Sequence, residues 1–338
     1  MSAPNTATAK PTSTAVDGAP SQQRRGEAAT RDGYGNALIK LGATDPNVVV
    51  LDAGVSDSTR TNKFAEKYPE RFFNMGISEG DMVCTAAGMA KCGKTAFATS
   101  FIAFLLGRSM DQILVSVAYS DSNVKIVGSH CGLAIGEDGP TAQAIGDVAY
   151  MRAMPNFVVI CPADAVEAEK AIMELAKRKG PAYVRLGRGN VKTIYDDSYE
   201  FELGKASVVA EGNDAAIIAS GIMVQESMAA AELLQKDGIS IKVVNMSTIK
   251  PLDRKAVIDA AETGIIITAE DHNIYGGLGS AVAEVVAEEG LSVKFDMIGV
   301  KDRFAESDTQ KVLFKKYGLD AETIAATVKR TIGKKNEK

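Results

Sequence analysis

The chain contains two histidines, and both follow short apolar runs that read as strands. His130 comes after Val124–Val127 and His272 after Ile265–Thr268, and each leads into a glycine-rich loop. Histidine changes charge near neutral pH, so this placement makes both candidates for binding or proton transfer, although a single histidine is more often structural. The loop after His130 carries Glu137 and Asp138 between Gly136 and Gly139-Pro140-Thr141. Such residues serve ordinary turns; a rigid loop presenting Asp138 and His130 to a polar substrate is the chemical alternative. A third acid, Glu79, lies in Asn74-Met75-Gly76-Ile77-Ser78-Glu79-Gly80-Asp81-Met82, where a strand gives way to a helix. Ser78 as N-cap with Asp81 answering it makes a variant capping box, and Glu79 is then a first-turn acid favoured by the helix dipole. On the residues alone, that structural reading is the stronger one.

Other motifs are weaker. Tyr275-Gly276-Gly277-Leu278-Gly279 has Val282 where G-x-G-x-x-G needs its third glycine, so a tight turn with close helix–sheet packing is expected. No P-loop, nucleophile elbow or metal-ligand spacing stands out. The four cysteines, Cys84, Cys92, Cys131 and Cys161, form no C-x-x-C pair and read as free buried thiols.

Positioning these residues requires regular elements. Short β-prone runs alternate with helical segments: Val48–Leu51, Phe72-Phe73, Ala96–Ala98, Val124–Val127, Phe157–Ile160 and Tyr183–Leu186, then Ala215–Ala219, Ile241–Val244, Ile265–Thr268 and Val293–Ile298. Runs apolar throughout and separated by helices imply parallel sheets covered on both faces. The polar segment 189–205 reads as a linker. The expected fold is α/β: two successive domains, 29–188 and 206–338, with mostly parallel sheets covered by helices. Helices are expected near 222–236 and 320–333. Residues 1–28, rich in Ser, Thr, Pro and Ala, are expected to be disordered.

The composition is that of a soluble globular chain, with 46% hydrophobic and 24% charged residues. A net charge of −5 gives no support to nucleic-acid or anionic-membrane binding. No signal peptide and no run approaching bilayer-spanning length is read, so the cytoplasm is the expected location.

Longer strings carry a resemblance. Ala29-Thr30-Arg31, Tyr68-Pro69-Glu70-Arg71-Phe72-Phe73-Asn74-Met75-Gly76-Ile77-Ser78-Glu79, Thr99-Ser100-Phe101-Ile102-Ala103-Phe104, Gly136–Thr141, Pro162-Ala163-Asp164, Tyr183–Arg188 and Glu270-Asp271-His272 resemble the second half of transketolases, in order, over residues 29 to about 335. The resemblance implies a thiamine-diphosphate pyrimidine-binding domain followed by a transketolase C-terminal domain. The chain has no Gly-Asp-Gly, which the family uses to hold the cofactor's diphosphate through Mg2+ or Ca2+. The resemblance therefore implies a separate N-terminal subunit bearing that motif, with this chain self-associating into a homodimer core of a heterotetramer.

By the same resemblance Glu79 is the catalytic acid that hydrogen-bonds the aminopyrimidine of thiamine diphosphate, and Phe101 and Phe104 pack on that ring; simple core packing is their plainer role. Arg31, Ser58, His130 and Arg188 match positions that hold a sugar phosphate, for which arginine suits. Asp138 matches a residue bonding a substrate hydroxyl. The implied activity is transfer of a two-carbon ketol unit between sugar phosphates, as in the pentose phosphate pathway. The alternatives are the beta subunit of a 2-oxo acid dehydrogenase's decarboxylating component, against which the phosphate-binding set argues, and a catalytically silent partner protein, against which Glu79 argues. Three positions depart from the pattern: Ala142 replaces a histidine, Gly54 an acid and Gly107 a tyrosine. The phosphate side is kept and the donor side altered.

Overall fold

The computed structural model describes residues 26–333. Residues 1–25, expected to be disordered, lie outside the described residues. Strand β1 (Glu27–Ala29) begins inside the stretch assigned to that tail, and it pairs antiparallel with β8 (Asn190–Lys192). The segment 189–205 is likewise more than a linker. It contributes β8, stacks Tyr195 on Tyr199 at 3.8 Å, and is tied by the backbone N–H groups of Ile194 and Tyr195 to the Asp164 carboxylate at 2.7 and 2.9 Å.

The first sheet has seven strands in the order β12-β6-β7-β5-β4-β2-β3. These are β2 (Val48–Asp52), β3 (Phe72–Asn74), β4 (Thr95–Phe101), β5 (Val124–Ser129), β6 (Val158–Ile160), β7 (Ala182–Arg185) and β12 (Thr248–Lys250). All pairings are parallel except β12 with β6. β2, β5, β6 and β7 are buried along their whole length, as continuous apolar runs require when helices cover both faces. Tyr34, Leu38 and Phe97 fill one face, and Met82, Leu105 and Ile126 the other. The helix Thr30–Thr44 lies against Ala165–Lys177 so closely that a Cβ on Gly33 would come within 2.0 Å of the Ala165 carbonyl oxygen.

The second sheet runs β14-β13-β10-β11-β9, from β9 (Ser207–Ala210), β10 (Ala215–Ala219), β11 (Ile241–Asn245), β13 (Ile265–Asn273) and β14 (Lys294–Val300), with only β9 antiparallel. The closing helices fall at Met223–Gln235 and Ala321–Gly333. The α/β architecture of two mostly parallel sheets is as the sequence indicates. One feature crosses the two halves: β12, from the second, is an edge strand of the first sheet. A buried ion pair reinforces it. Arg185 Nε donates to Asp147 Oδ2 at 2.7 Å, while Arg185 Nη2 donates to the carbonyls of Ala144 and Asp271 at 3.0 and 2.8 Å.

Three local expectations change. Ser78 is the N-cap of the helix Glu79–Lys91 but makes no side-chain capping bond, so the capping box does not form. Cys131 and Cys161 are buried, whereas Cys84 and Cys92 are exposed. The helix Ile102–Gln112 runs on into the π-helical segment Ile113–Tyr119, and Ile102–Tyr119 is long and apolar enough to cross a membrane by length and composition, where no such run was expected. Arg108 and Asp111 lie inside it, and Ile102, Leu105 and Ile113 are 0% exposed in the core cluster that includes Ile126. Both features fit a core helix of an α/β domain.

Candidate functional site

The site forms at the carboxyl ends of the parallel strands, where open sheets of this kind take ligands. β4 ends at Phe101, and Phe104 sits in the first turn of the following helix; the rings stack at 5.9 Å. Phe101 also lies flat against His130, ring centres 3.8 Å apart at 24°. Beside them Glu79 opens its helix, only 3% exposed. Arg108, one turn beyond Phe104, lays its guanidinium 4.7 Å from the Phe104 ring centre and donates to Glu79 Oε1 at 2.9 Å. Glu79 Oε2 has no donor among the described residues. The result is a buried, half-satisfied carboxylate beside two stacked aromatic rings. That arrangement fits the flat aminopyrimidine of thiamine diphosphate: Phe101 and Phe104 offer faces, and the Glu79 carboxyl can share a proton with a ring nitrogen.

A second cluster adjoins it. Asp52, at the end of β2, is 0% exposed and accepts from Val55 N, Thr59 Oγ1 and Thr61 Oγ1 at 2.6, 2.7 and 2.9 Å. Burial raises its pKa and these bonds oppose the rise. They fix the turn 53–61 that presents Ser58 and Arg60. The Ser58 carbonyl accepts from Arg31 Nη1 at 2.7 Å, so it is the backbone of Ser58 that meets Arg31. Arg60, at φ 70°, donates to Asp32 at 2.7 Å. Arg188 is held by the Ile135 carbonyl at 2.7 Å and by Glu137 at 3.3 Å.

His130 stands at φ 63° with Ser129 Oγ 2.8 Å from its Nδ1. Its pKa is pushed down to about 3, first by burial and then by the charges of Arg31, Arg188 and Arg60. The imidazole is therefore neutral at physiological pH, and the serine hydroxyl can donate to Nδ1 and leave Nε2–H as a donor. Arg31 Nε is buried without a partner, a donor left over for a ligand. Three guanidinium groups around a neutral histidine suit a phosphate.

The remaining expectations fall as follows. Asp138 is exposed at the end of the 3-10 segment Leu133–Asp138, whose start is pinned by Leu133 and Ala134 N–H groups donating to Asp271 at 2.8 and 3.0 Å. Ala142 is buried at 6%. Gly54 has φ +82°, a backbone that a side chain would strain, and a Cβ on Gly107 would meet nothing within 4 Å. His272 is the penultimate residue of β13, 1% exposed, with Nδ1 2.6 Å from the Asn273 carbonyl; it does not join the cluster around His130. The glycine-rich turn after it closes on the chain's own acid. Leu278 and Gly279 N–H groups each donate to Glu270 at 2.8 Å, and a Cβ on Gly277 would come within 2.0 Å of that carboxylate. Among the described residues no cluster of three His, Cys, Asp or Glu side chains could hold a metal.

Two functional candidates escaped sequence reading, Arg60 and Arg108. Arg108 had a signal: it stands four residues after Phe104, on the same helix face. Arg60 had none, because its placement depends on the turn that Asp52 ties.

Comparisons with known proteins agree on one family over the length of both domains. The transketolase pyrimidine binding domain matches residues 26–193 and the transketolase C-terminal domain residues 204–324. A putative transketolase C-terminal section from Methanocaldococcus jannaschii is 46% identical over 300 residues, 88% of this chain and 94% of that protein. Human transketolase is 39% identical over 321 residues, 93% of this chain but 51% of its own length, so the chain spans about half of that protein. The solved structure of a split gene transketolase, an inactive beta4 tetramer, aligns with a TM-score of 0.84 at 43% identity, covering 90% of this chain and 98% of that one. With both domains matched and relatives well above 30% identity across most of the chain, this protein belongs to the transketolase family.

Proposed function

We propose that this chain is the pyrimidine-binding subunit of a thiamine-diphosphate-dependent transketolase, working in the cytoplasm with a separate subunit that holds the cofactor's diphosphate and its Mg2+ or Ca2+. Thiamine diphosphate, when bound, supplies the carbon nucleophile for ketol transfer. Glu79 is the catalytic residue, whose carboxyl would share a proton with the pyrimidine ring nitrogen and so favour the imino form of the ring. Phe101 and Phe104 pack on the ring and exclude water. Arg31, Arg60, Arg188 and His130 bind the phosphate of a sugar phosphate, the turn at Ser58 positions Arg31, and Asp138 bonds a substrate hydroxyl.

The observation that carries this reading is the Glu79 carboxylate, buried at a helix start with one oxygen free beside stacked rings. A first-turn acid serving only the helix dipole would sit well at the surface. The family comparisons do not favour the dehydrogenase beta subunit or a silent partner. Ile77, 82% exposed two residues before Glu79, fits burial against a second copy or the partner subunit. The pentose phosphate pathway and a homodimer core within a heterotetramer are the corresponding assignments.

The test is reconstitution. The chain is co-expressed with a partner bearing the diphosphate motif, and ketol transfer between sugar phosphates is assayed with and without thiamine diphosphate. Activity should need the cofactor and both chains. Full activity from this chain alone would refute the split assignment, and full activity of Glu79→Gln in the complex would refute the catalytic role.

A further inference from the structure

The second sheet has an open parallel edge at β14. Along that edge, between Asp296–Gly299 of the strand, the Lys301–Arg303 turn that follows it, the end of the helix Gln310–Tyr317 and one face of the helix Ala321–Gly333, lies a cavity of about 330 Å³. Its volume is at the lower end of the range for small-molecule sites. None of its lining belongs to the Glu79 or His130 clusters. Five cations line it, Lys301, Arg303, Lys315, Lys316 and Arg330, against one acid, Asp296. This is a positive pocket in a chain whose net charge is −5.

Two of the cations are already matched: Arg330 pairs with Asp296 at 2.8 Å and Lys316 with Glu306 at 2.6 Å. Arg303 stacks 4.6 Å from the Tyr317 ring centre, which fixes its plane without cancelling its charge. Lys301 and Lys315 have no acidic partner among the described residues. Lys315 and Lys316 lie in the last turn of their helix, where the dipole favours cations. That accounts for those two, but not for Lys301 and Arg303, which reach the same cavity from a separate segment. Three uncompensated cations therefore converge on a cavity along the edge strand of a parallel sheet, beside Thr323 and Thr327 one turn apart on the adjoining helix.

We propose that this cavity binds a small, multiply charged phosphorylated anion, separately from the substrate site. Arg303 supplies a planar pair of donors, Lys301 and Lys315 point charges, and the threonine hydroxyls neutral hydrogen bonds.

The probes are inorganic pyrophosphate and fructose 1,6-bisphosphate, titrated calorimetrically into the full chain at low salt. The first represents a free polyphosphate and the second a phosphate ester. An Arg188→Ala background weakens the other arginine cluster. Saturable binding should persist in that background, and Lys301→Gln/Lys315→Gln should weaken it at least tenfold, since each lost charge-assisted contact costs about that much. Both lysines are exposed, so the double variant should melt as the parent does without ligand, while pyrophosphate should raise the melting temperature of the parent only. Arg303→Gln, which keeps a polar group over Tyr317, should give a similar loss. No saturable binding of either probe in the Arg188→Ala chain, or equal affinity with and without the two lysines, would overturn the proposal.

Discussion

The guanidinium of Arg108 donates to Glu79 at 2.9 Å while lying against the ring of Phe104, so a residue half-exposed to solvent satisfies a carboxylate that is 3% exposed. This pair links the acid to the aromatic face. Removing Arg108 leaves a buried acceptor partly unmet, which costs about 1–3 kcal/mol where nothing replaces it. Solvent screening of the exposed partner brings the expected loss to the lower end. Arg108→Met should therefore lower stability by about 1 kcal/mol in urea unfolding. Glu79→Gln/Arg108→Met should recover most of it, because the neutral amide needs no counter-charge. Strictly additive losses in the double variant would show that the two side chains do not depend on each other.

Arg188 and Arg60 reach the phosphate cluster by different routes, and their substitutions should separate. Arg188→Ala in the assembled enzyme should weaken phosphorylated substrates by about 1.5–3 kcal/mol relative to unphosphorylated analogues, the scale of a hydrogen bond to a charged group. Arg60 is bound to Asp32 and to the Asp57 carbonyl, and Arg188 to the Ile135 carbonyl and the more exposed Glu137, so both alanine variants should lose some stability and Arg60→Ala the more. The kcat/KM ratios for phosphorylated and unphosphorylated substrates, with melts of each variant, check both. Equal losses on both substrate types would assign Arg188 to structure.

His130 sets an acid-side limit on stability. Its folded pKa is about 3, against 6.5 when unfolded. Between those values the unfolded chain binds the extra proton and the folded chain does not, so stability falls as pH drops through 6.5 toward 3. His130→Gln removes the proton site while keeping a donor. The melting temperature of the wild type should fall more steeply from pH 7 to pH 5 than that of the variant. Parallel curves would mean that the imidazole is not held neutral in the fold.

The strands legible in the sequence are those whose apolar runs are buried on both faces, such as β5 and β10. β1, β8, β9 and β12 were missed. Each is three or four residues long and includes a polar or charged residue; all four become strands only because a partner lies alongside, as Lys192 does opposite Glu27. The turn at Asp52 and the exposed Cys84 and Cys92 depend in the same way on what the chain meets in space. At the site, periodicity placed Glu79 at a helix start and His130 near a strand end, but their chemical roles came from the family resemblance. The physical reasons for those roles, a free carboxylate oxygen and a neutral imidazole amid three guanidinium groups, exist only once residues 29 or more positions apart are brought together.

The Arg185–Asp147 pair gives the sharpest stability prediction, because it joins the first sheet to the Asp271 carbonyl of the second half and is almost wholly buried. Burial, the largest single influence, would raise the Asp147 carboxyl; the charge of Arg185, a smaller contribution from His272 and hydrogen bonds from Arg185 and Tyr183 together hold the pKa below the usual range. Arg185→Met should cost about 3–5 kcal/mol, since it strands a buried carboxylate and leaves two carbonyls unmet. The pH dependence distinguishes this from lost packing. In the variant Asp147 has no cation, so burial raises its pKa above the unfolded value. A group with a raised folded pKa takes up a proton on folding, so its penalty is full at high pH and shrinks as pH falls through the raised pKa. The stability gap between wild type and Arg185→Met should therefore narrow between pH 7 and pH 5 in urea unfolding. Asp147→Asn/Arg185→Met should show a smaller gap with no such narrowing. A gap that stays constant with pH in the single variant would assign the loss to packing around Arg185 rather than to the charge it neutralises.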